Sequence, residues 1–363
     1  MKPRSIAVAI ACGAVGAVAG LAAVAGVIYR KQIKSAASLK RLTDYADGYD
    51  LYAIDIAYDY DLDRIIAADV RDDQAYIDAV LAQVLPGVPA HVQAPQFACS
   101  AFAAVDAEGR VRTGRNYDFK DDTSALLVRN QPRDGYASIG FAALNNLGAN
   151  APLDSVAGRA AALMGPFAQL DGVNECGVSI AVLTLDSKPC DQDTQRPVIN
   201  TSLAIRLVLD RAATTQEAVD LLSAYDMHAM AGRDYHFFIN DAAGDARVVE
   251  WDPRDPERAC RATPVRQVTN FYACYEDEVL PNQKNGELGH GKERALAIAD
   301  VLDAHTGAQD EVVAWNALRA AAQEPNPEDI TSNTQWSVVF DNTEPAAAIT
   351  LRRHWGDVDA FAL

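Results

Sequence analysis

None of the six cysteines stands in a Cys-x-x-Cys pair, and no histidine accompanies them at zinc-ligand spacing. That absence argues against a metal site. The six histidines form no triad pattern, and there is no phosphate-binding loop, no dinucleotide-binding glycine motif and no nucleophile-elbow serine. No cofactor is expected. Positive charge is scarce: 32 Lys and Arg stand against 50 Asp and Glu, a net charge of −18. With no basic stripe either, the composition argues against nucleic acid as a partner. The 363 residues are 49% apolar and 23% charged, enough for one large domain or two ordinary ones.

Acid is missing altogether from the first 34 residues, which hold Lys2, Arg4, Arg30, Lys31 and Lys34; without them the remainder has 27 basic residues and a net charge of −23. From Ser5 to Ile28 run 24 uncharged residues, apolar or small, long enough for a hydrocarbon span of ~30 Å. Behind Lys2 and Arg4, residues 1–34 read as a signal anchor or signal peptide. Ala23-Val24-Ala25 offers a cleavage site. The run continues past it through Gly26-Val27-Ile28, beyond the ~7–15-residue core of a signal peptide. The expectation is an uncleaved anchor in the cell membrane, with the catalytic part outside the cytoplasm; cleavage would make the protein secreted. Cys12 lies in this segment. Cys176, Cys190, Cys260 and Cys274 suffice for two disulfides or stand as buried thiols, and the sequence leaves both open. It leaves the oligomeric state open too, a homo-oligomer included.

Residues 35–43 read as a polar tether and 44–85 as a separate acidic block with Asp-Tyr repeats. The apolar face of its helix (Ile77, Val80, Leu81, Val84) leads us to expect that it packs on the part of the chain that follows, the competing reading being a flexible spacer. Within that block, partial alternation over 51–60 suggests a strand. Ala75, Ile77, Val80, Leu81 and Val84 recur at helical spacing over 72–85. Pro86-Gly87-Val88-Pro89 ends the helix, and a loop leads to Cys99. Beyond it, strands over 100–105 and 110–114 flank an Asp/Gly turn. Further strands are expected over 138–144, 177–185 and 267–272, with hairpins pairing 236–239 with 246–251 and 336–341 with 347–352. Helices are expected over 201–211, 215–225, 292–305 and 310–322, the second with Thr214 as N-cap and Glu217 in its first turn. This rhythm of strands and helix pairs suits helices covering two stacked sheets.

Chemistry concentrates at Phe97-Ala98-Cys99-Ser100-Ala101-Phe102 and, after it, Gly114-Arg115-Asn116-Tyr117-Asp118-Phe119. A thiol with an ordinary pKa of ~8.5 is only a few per cent thiolate at neutral pH. A cysteine at a chain's N-terminus carries its own base, an α-amine with a pKa of ~8. A hairpin would return Asp118 beside that amine and Arg115 beside the sulfur. Alone, Cys-Ser-x-Phe reads equally as a buried core cysteine. Arg115-Asn116-Tyr117-Asp118 reads as a polar turn at the end of the second strand. Downstream stand Asp171-Gly172-Val173-Asn174-Glu175-x-Gly177-Val178, by itself a turn, then Val268-Thr269-Asn270 and His290-Gly291-Lys292-Glu293-Arg294.

Together these motifs, spread over residues 99–352, resemble the choloylglycine hydrolase group of N-terminal-nucleophile (Ntn) hydrolases. That group holds bile salt hydrolases and penicillin V acylases, with acid ceramidase-like amidases more distant. The resemblance implies an α+β fold, a four-layer αββα sandwich over 99–363, preceded by the membrane segment and by a tether and acidic propeptide over 35–98. It implies that Cys99 is exposed by autocatalytic cleavage after Ala98 and hydrolyses a linear amide C–N bond in a small N-acyl compound. Arg115 and Asp118 match the group's Arg-Asn-x-Asp motif. Asn270 stands where an amide donates to the oxyanion, and Arg294 where an arginine reaches the site, although Ala295 replaces the usual Phe. Thr184 occupies a substrate-binding position where relatives keep Asn or Tyr. Two alternatives are acyl transfer to an amine acceptor and a non-catalytic, membrane-anchored binding protein on the same scaffold.

Overall fold

A computed structural model describes residues 29–85, 98–147, 153, 155–284, 286–326 and 332–363. The apolar segment 5–28, the expected anchor or signal, lies outside the described residues, as does most of the loop before Cys99. Among the described residues no helix is long and apolar enough to cross a membrane.

Seventeen strands, numbered in chain order, form two large sheets and a pair among these residues. The larger sheet runs in the spatial order β1 (Lys40–Arg41), β2 (Leu51–Ile56), β5 (Ala125–Asn130), β6 (Ser138–Ala143), β7 (Gln169–Asn174), β8 (Ser179–Leu185), β11 (Asp234–Asn240), β12 (Ala246–Trp251) and β13 (Cys260–Pro264). The smaller runs β14 (Gln267–Val268), β3 (Ala98–Val105), β4 (Val111–Asp118), β15 (Thr334–Asp341), β16 (Ala346–Leu351) and β17 (Asp359–Ala362). β9 (Val198–Asn200) and β10 (Asp226–His228) pair in parallel. The helices are α1 (Arg30–Ser38), α2 (Leu62–Ile66), α3 (Asp73–Val84), α4 (Val156–Ala162), α5 (Thr201–Arg211), α6 (Thr215–Ser223), α7 (Lys292–Ala304) and α8 (Glu311–Ala321).

The sheets stack face to face, β3 against β8 and β11, and β15 against β7. Helices α5 and α6 cover the larger sheet; α7 and α8 cover the smaller one. The result is a four-layer αββα sandwich. Strands sandwiched between layers are buried on both faces, so β4, β7, β8 and β11 are buried along their whole lengths. Helix α5 starts where the Asn200 side chain accepts from the Leu203 N–H, and α6 where Thr214 accepts from Glu217.

Four sequence expectations change. Residues 35–43 are not a tether: α1 runs to Ser38 and β1 pairs with β2. The acidic block does pack on the rest of the chain, but as part of its sheet and core rather than as a separate unit. β2 lies inside the larger sheet, parallel to β5 with Leu51 opposite Ala125 and Ile56 opposite Asn130. Leu51, Ile54, Ile65, Ile77, Val80 and Val84 join the main hydrophobic core. The physical reason is that most of this block's acids face outward, the buried Asp50 being held by Arg41, Thr43 and the Tyr45 N–H, while its apolar residues complete a sheet face that would otherwise be wet. The Arg-Asn-Tyr-Asp motif is part of strand β4, not a turn. Asp171-Gly172 likewise lies in β7. There Gly172 sits opposite Gly140, and a Cβ on Gly172 would come within 2.8 Å of the Ile139 carbonyl. The glycine serves close strand approach, and the turn falls later, at Gly177 (φ +83°).

Candidate active site

β3 begins at Ala98, and its antiparallel register with β4 sets Asp118 opposite Ala98, Tyr117 opposite Cys99 and Arg115 opposite Ala101. One hairpin therefore brings the thiol, a carboxylate and a guanidinium together, all fully buried. Burial pushes the Cys99 thiol up to about 12; the Arg115 and Arg294 charges and the Asp118 backbone N–H oppose that shift. In the intact chain the resting sulfur is a protonated thiol.

The backbone N–H of Cys99 donates to Asn270 Oδ1 at 3.0 Å. Arg294 binds around it: Nη2 donates to the same Asn270 oxygen at 2.8 Å and Nη1 to the Cys99 carbonyl at 2.9 Å. Nη1 also lies 3.4 Å from Asp118 Oδ2. Burial raises the Asp118 carboxyl, while Arg294, the Thr334 hydroxyl and the Gln323 amide pull it back. Thr334 Oγ1 donates to Oδ1 at 2.6 Å and Gln323 Nε2 to Oδ2 at 2.9 Å.

Arg115 is held from the larger sheet. Its Nε lies 2.8 Å from Asp171 Oδ2 and its Nη2 3.3 Å from the Val182 carbonyl. Its guanidinium lies 5.1 Å from the Tyr117 ring centre and 5.8 Å from that of Trp336. Burial pushes Asp171 up to about 6, and Arg115 opposes the rise.

All five residues expected to carry the chemistry, Cys99, Arg115, Asp118, Asn270 and Arg294, thus converge. Asn270 differs in orientation. Its oxygen, not its NH2, faces Cys99, because both the Cys99 N–H and Arg294 need an acceptor there. The NH2 donates instead to the Thr184 carbonyl at 2.8 Å. Thr184 therefore touches the cluster through its backbone, and its buried hydroxyl has no partner among the described residues.

Several supporting residues carry no sequence signal. Thr334 and Gln323 follow Asp118 by more than 200 positions. His236 sets Nε2 3.0 Å from the Thr269 carbonyl and Nδ1 3.4 Å from Glu250. Glu250 also accepts from the Ala273 and Cys274 N–H groups, so this pair fastens the loop that carries Asn270. Five cysteines, Cys99, Cys176, Cys190, Cys260 and Cys274, are free thiols, and no metal-binding cluster of His, Cys, Asp or Glu occurs among the described residues.

The sequence model of the acyl-coenzyme A:6-aminopenicillanic acid acyl-transferase family matches residues 105–354. No curated protein matches the sequence. Among solved structures, a variant of conjugated bile acid hydrolase from Clostridium perfringens superposes with a TM-score of 0.56 at 15% identity, covering 73% of this chain and 92% of that one. Penicillin V acylase from Agrobacterium tumefaciens superposes with a TM-score of 0.52 at 20% identity, covering 73% and 86%. The fold is shared with both.

Proposed function

The chain belongs to the acyl-coenzyme A:6-aminopenicillanic acid acyl-transferase family, and from that premise we propose that it is an Ntn amidohydrolase whose nucleophile, Cys99, is freed by self-cleavage after Ala98. The observation that carries this reading is the Cys99 backbone nitrogen. It is met by Asn270 Oδ1, with Asp118 set across from Ala98. Any buried backbone N–H needs an acceptor; what sets this one apart is that its acceptor is a side-chain amide shared with a buried guanidinium, Arg294, which also binds the Cys99 carbonyl and lies beside Asp118.

In self-cleavage the Cys99 sulfur attacks the Ala98 carbonyl carbon. The C–N bond breaks as the acyl group moves to sulfur, and the Cys99 nitrogen takes up a proton to become an amine. Water then hydrolyses the thioester, leaving Ala98 as a carboxylate and Cys99 as a free thiol. The new amine is the base the buried thiol lacks. It takes the thiol proton, the thiolate attacks a substrate amide carbon, and the proton passes to the departing amine. A second water releases the acyl group as an acid. Asn270 Nδ2 has two hydrogens and spends one on Thr184, so the other is available to the oxyanion, a contribution of ~3 kcal/mol. Asp118 holds the ammonium form of the amine; Arg115 and Arg294 favour the thiolate. The substrate is a linear N-acyl compound with an apolar acyl part.

Mass spectrometry of purified protein tests the first step. Wild type should yield a chain starting at Cys99 and Cys99→Ala should remain whole; equal cleavage of the alanine variant would overturn the reading. A second reading, acyl transfer, is favoured by the family's own description. Added amine acceptor should then divert product from free acid to a new amide; hydrolysis alone leaves the acid yield unchanged.

A further inference from the structure

Arg352 and Arg353 adopt left-handed backbone conformations in succession, φ +46° and +64°. Residues with a Cβ do so only when their surroundings hold them there. The Arg352 N–H donates to the Gln335 carbonyl at 2.8 Å, and the His354 N–H to the Leu351 carbonyl at 2.8 Å. The Arg352 guanidinium pairs with Asp47 at 2.6 Å and Asp122 at 3.3 Å, and lies 5.1 Å from the Tyr49 ring centre. The His354 ring stacks on Tyr45 at 4.5 Å. Three residues of the segment preceding Cys99 thus brace this turn from outside.

The turn aims Arg353 inward. Its Nη1 reaches the Gln323 carbonyl at 3.1 Å, Asn333 Oδ1 at 2.9 Å and the Thr334 carbonyl at 3.0 Å. Gln323 and Thr334 are also cross-linked. The Thr334 N–H donates to the Gln323 carbonyl at 2.9 Å, and the Gln323 N–H to Thr334 Oγ1 at 2.8 Å. Their side chains are two of the three that donate to Asp118, the third being Arg294. A shift in either backbone would displace both donors.

The geometry points to Arg353 as a positioning residue for Asp118, acting through the paired backbones of Gln323 and Thr334. The inference rests on the reading that Asp118 serves Cys99. Arg294 from α7, Arg115 on β4 and the Cys99 thiol on β3 face the same carboxylate, and none of them is among the partners of the Arg353 side chain, which among the described residues are Gln323, Asn333, Thr334 and Glu324. Loosened donors would leave burial less opposed, so Asp118 would take up a proton at higher pH.

Full-length protein made by cell-free translation and chased over a range of pH gives the test, with cleavage at Ala98 as the readout. Arg353→Ala should slow cleavage about tenfold, the order expected for weakened hydrogen bonds to a charged group. The acid limb of its pH–rate profile should move upward, and Arg353→Lys should recover part of the rate. A wild-type rate with an unmoved acid limb overturns the inference, as does a slowing that is uniform across pH and follows the melting temperature. If the alanine variant does not fold, Arg353→Lys decides: it should be several-fold slower than wild type at unchanged melting temperature, and a wild-type rate overturns the inference. Cys99→Ala runs alongside. Its cleavage would sink the Ntn reading itself, whereas an intact Cys99→Ala with a fully active Arg353→Ala sinks only the role of Arg353.

Discussion

Gly291 has φ +86° and caps α7 just before Arg294; a Cβ there would meet Arg294 Nη2 at 2.4 Å and Thr269 Oγ1 at 2.9 Å. Thr269 Oγ1 in turn donates to the Gly291 carbonyl at 2.8 Å. The glycine lets the guanidinium lie back over the helix start toward Cys99. Gly291→Ala should cost ~1–2 kcal/mol from the left-handed backbone alone. It should lower cleavage more than that stability loss explains, because Arg294 must move. Thermal melts and the yield of chain starting at Cys99 measure the two effects. Asp118→Asn keeps the shape of the side chain but removes its charge. Cleavage or turnover should fall by ~10²–10⁴ with the fold intact; unchanged activity would remove Asp118 from the chemistry.

At the scale of elements, the β3–β4 hairpin and the loop after β14 meet at one amide although Cys99 and Asn270 stand 171 residues apart. The hairpin is local and rigid, held between β14 and β15. The loop has only two residues in regular strand, Gln267–Val268, and depends on side chains for its shape. His236→Phe removes the donor to the Thr269 carbonyl and leaves Glu250 without its ring partner. It should depress kcat with little change in KM, since the loss falls on oxyanion contacts made in the transition state. A raised KM at unchanged kcat would assign His236 to the substrate pocket instead. β2 offers a test of architecture. Ile54 is fully buried in the main core, so Ile54→Ala should destabilise the whole protein by ~2–5 kcal/mol, read as one cooperative transition in denaturant. A propeptide loosely attached to the surface would show no such effect.

Taken as a whole molecule, the segment before Cys99 is woven into the body it precedes. Tyr60 donates to the Asp210 carboxylate at 3.1 Å, the Val198 N–H donates to Asp69 at 2.8 Å, and Arg159 reaches the Ala36 carbonyl at 2.8 Å. Cutting one peptide bond at Ala98 leaves all of these contacts standing. Both fragments should therefore elute together after cleavage and part only in denaturant; dissociation in plain buffer would contradict the woven arrangement. Folded protein should resist a trypsin-like protease at Arg64, inside α2, and at Arg71, which donates to the Gln192 carbonyl and pairs with Asp191 at 3.5 Å.

The hairpin that brings Cys99 near Arg115 and Asp118 was legible because it is local: an apolar strand, an Asp/Gly turn and a short returning strand at fixed spacing decide its register with little help from elsewhere. Helices α5 to α8 were legible for the same reason, from local apolar spacing, with α6 marked by its Thr214 cap as well. Long-range pairing left no such marks. β2 belongs to the larger sheet only because β5 lies beside it, and an acidic, partly alternating stretch looks alike as an independent block and as a covered sheet edge. β7 was read as a turn because Asp-Gly favours turns in isolation, while close packing against Gly140 overrides that preference. The residue types that gather around Cys99 are set by the sequence. The grip of Thr334, Gln323 and Arg353 behind Asp118, and the turn of the Asn270 NH2 toward the Thr184 carbonyl, exist only after strands far apart in the chain have stacked. A hydrogen bond depends on where its partners sit in space, and a linear spacing of more than 200 residues cannot express that.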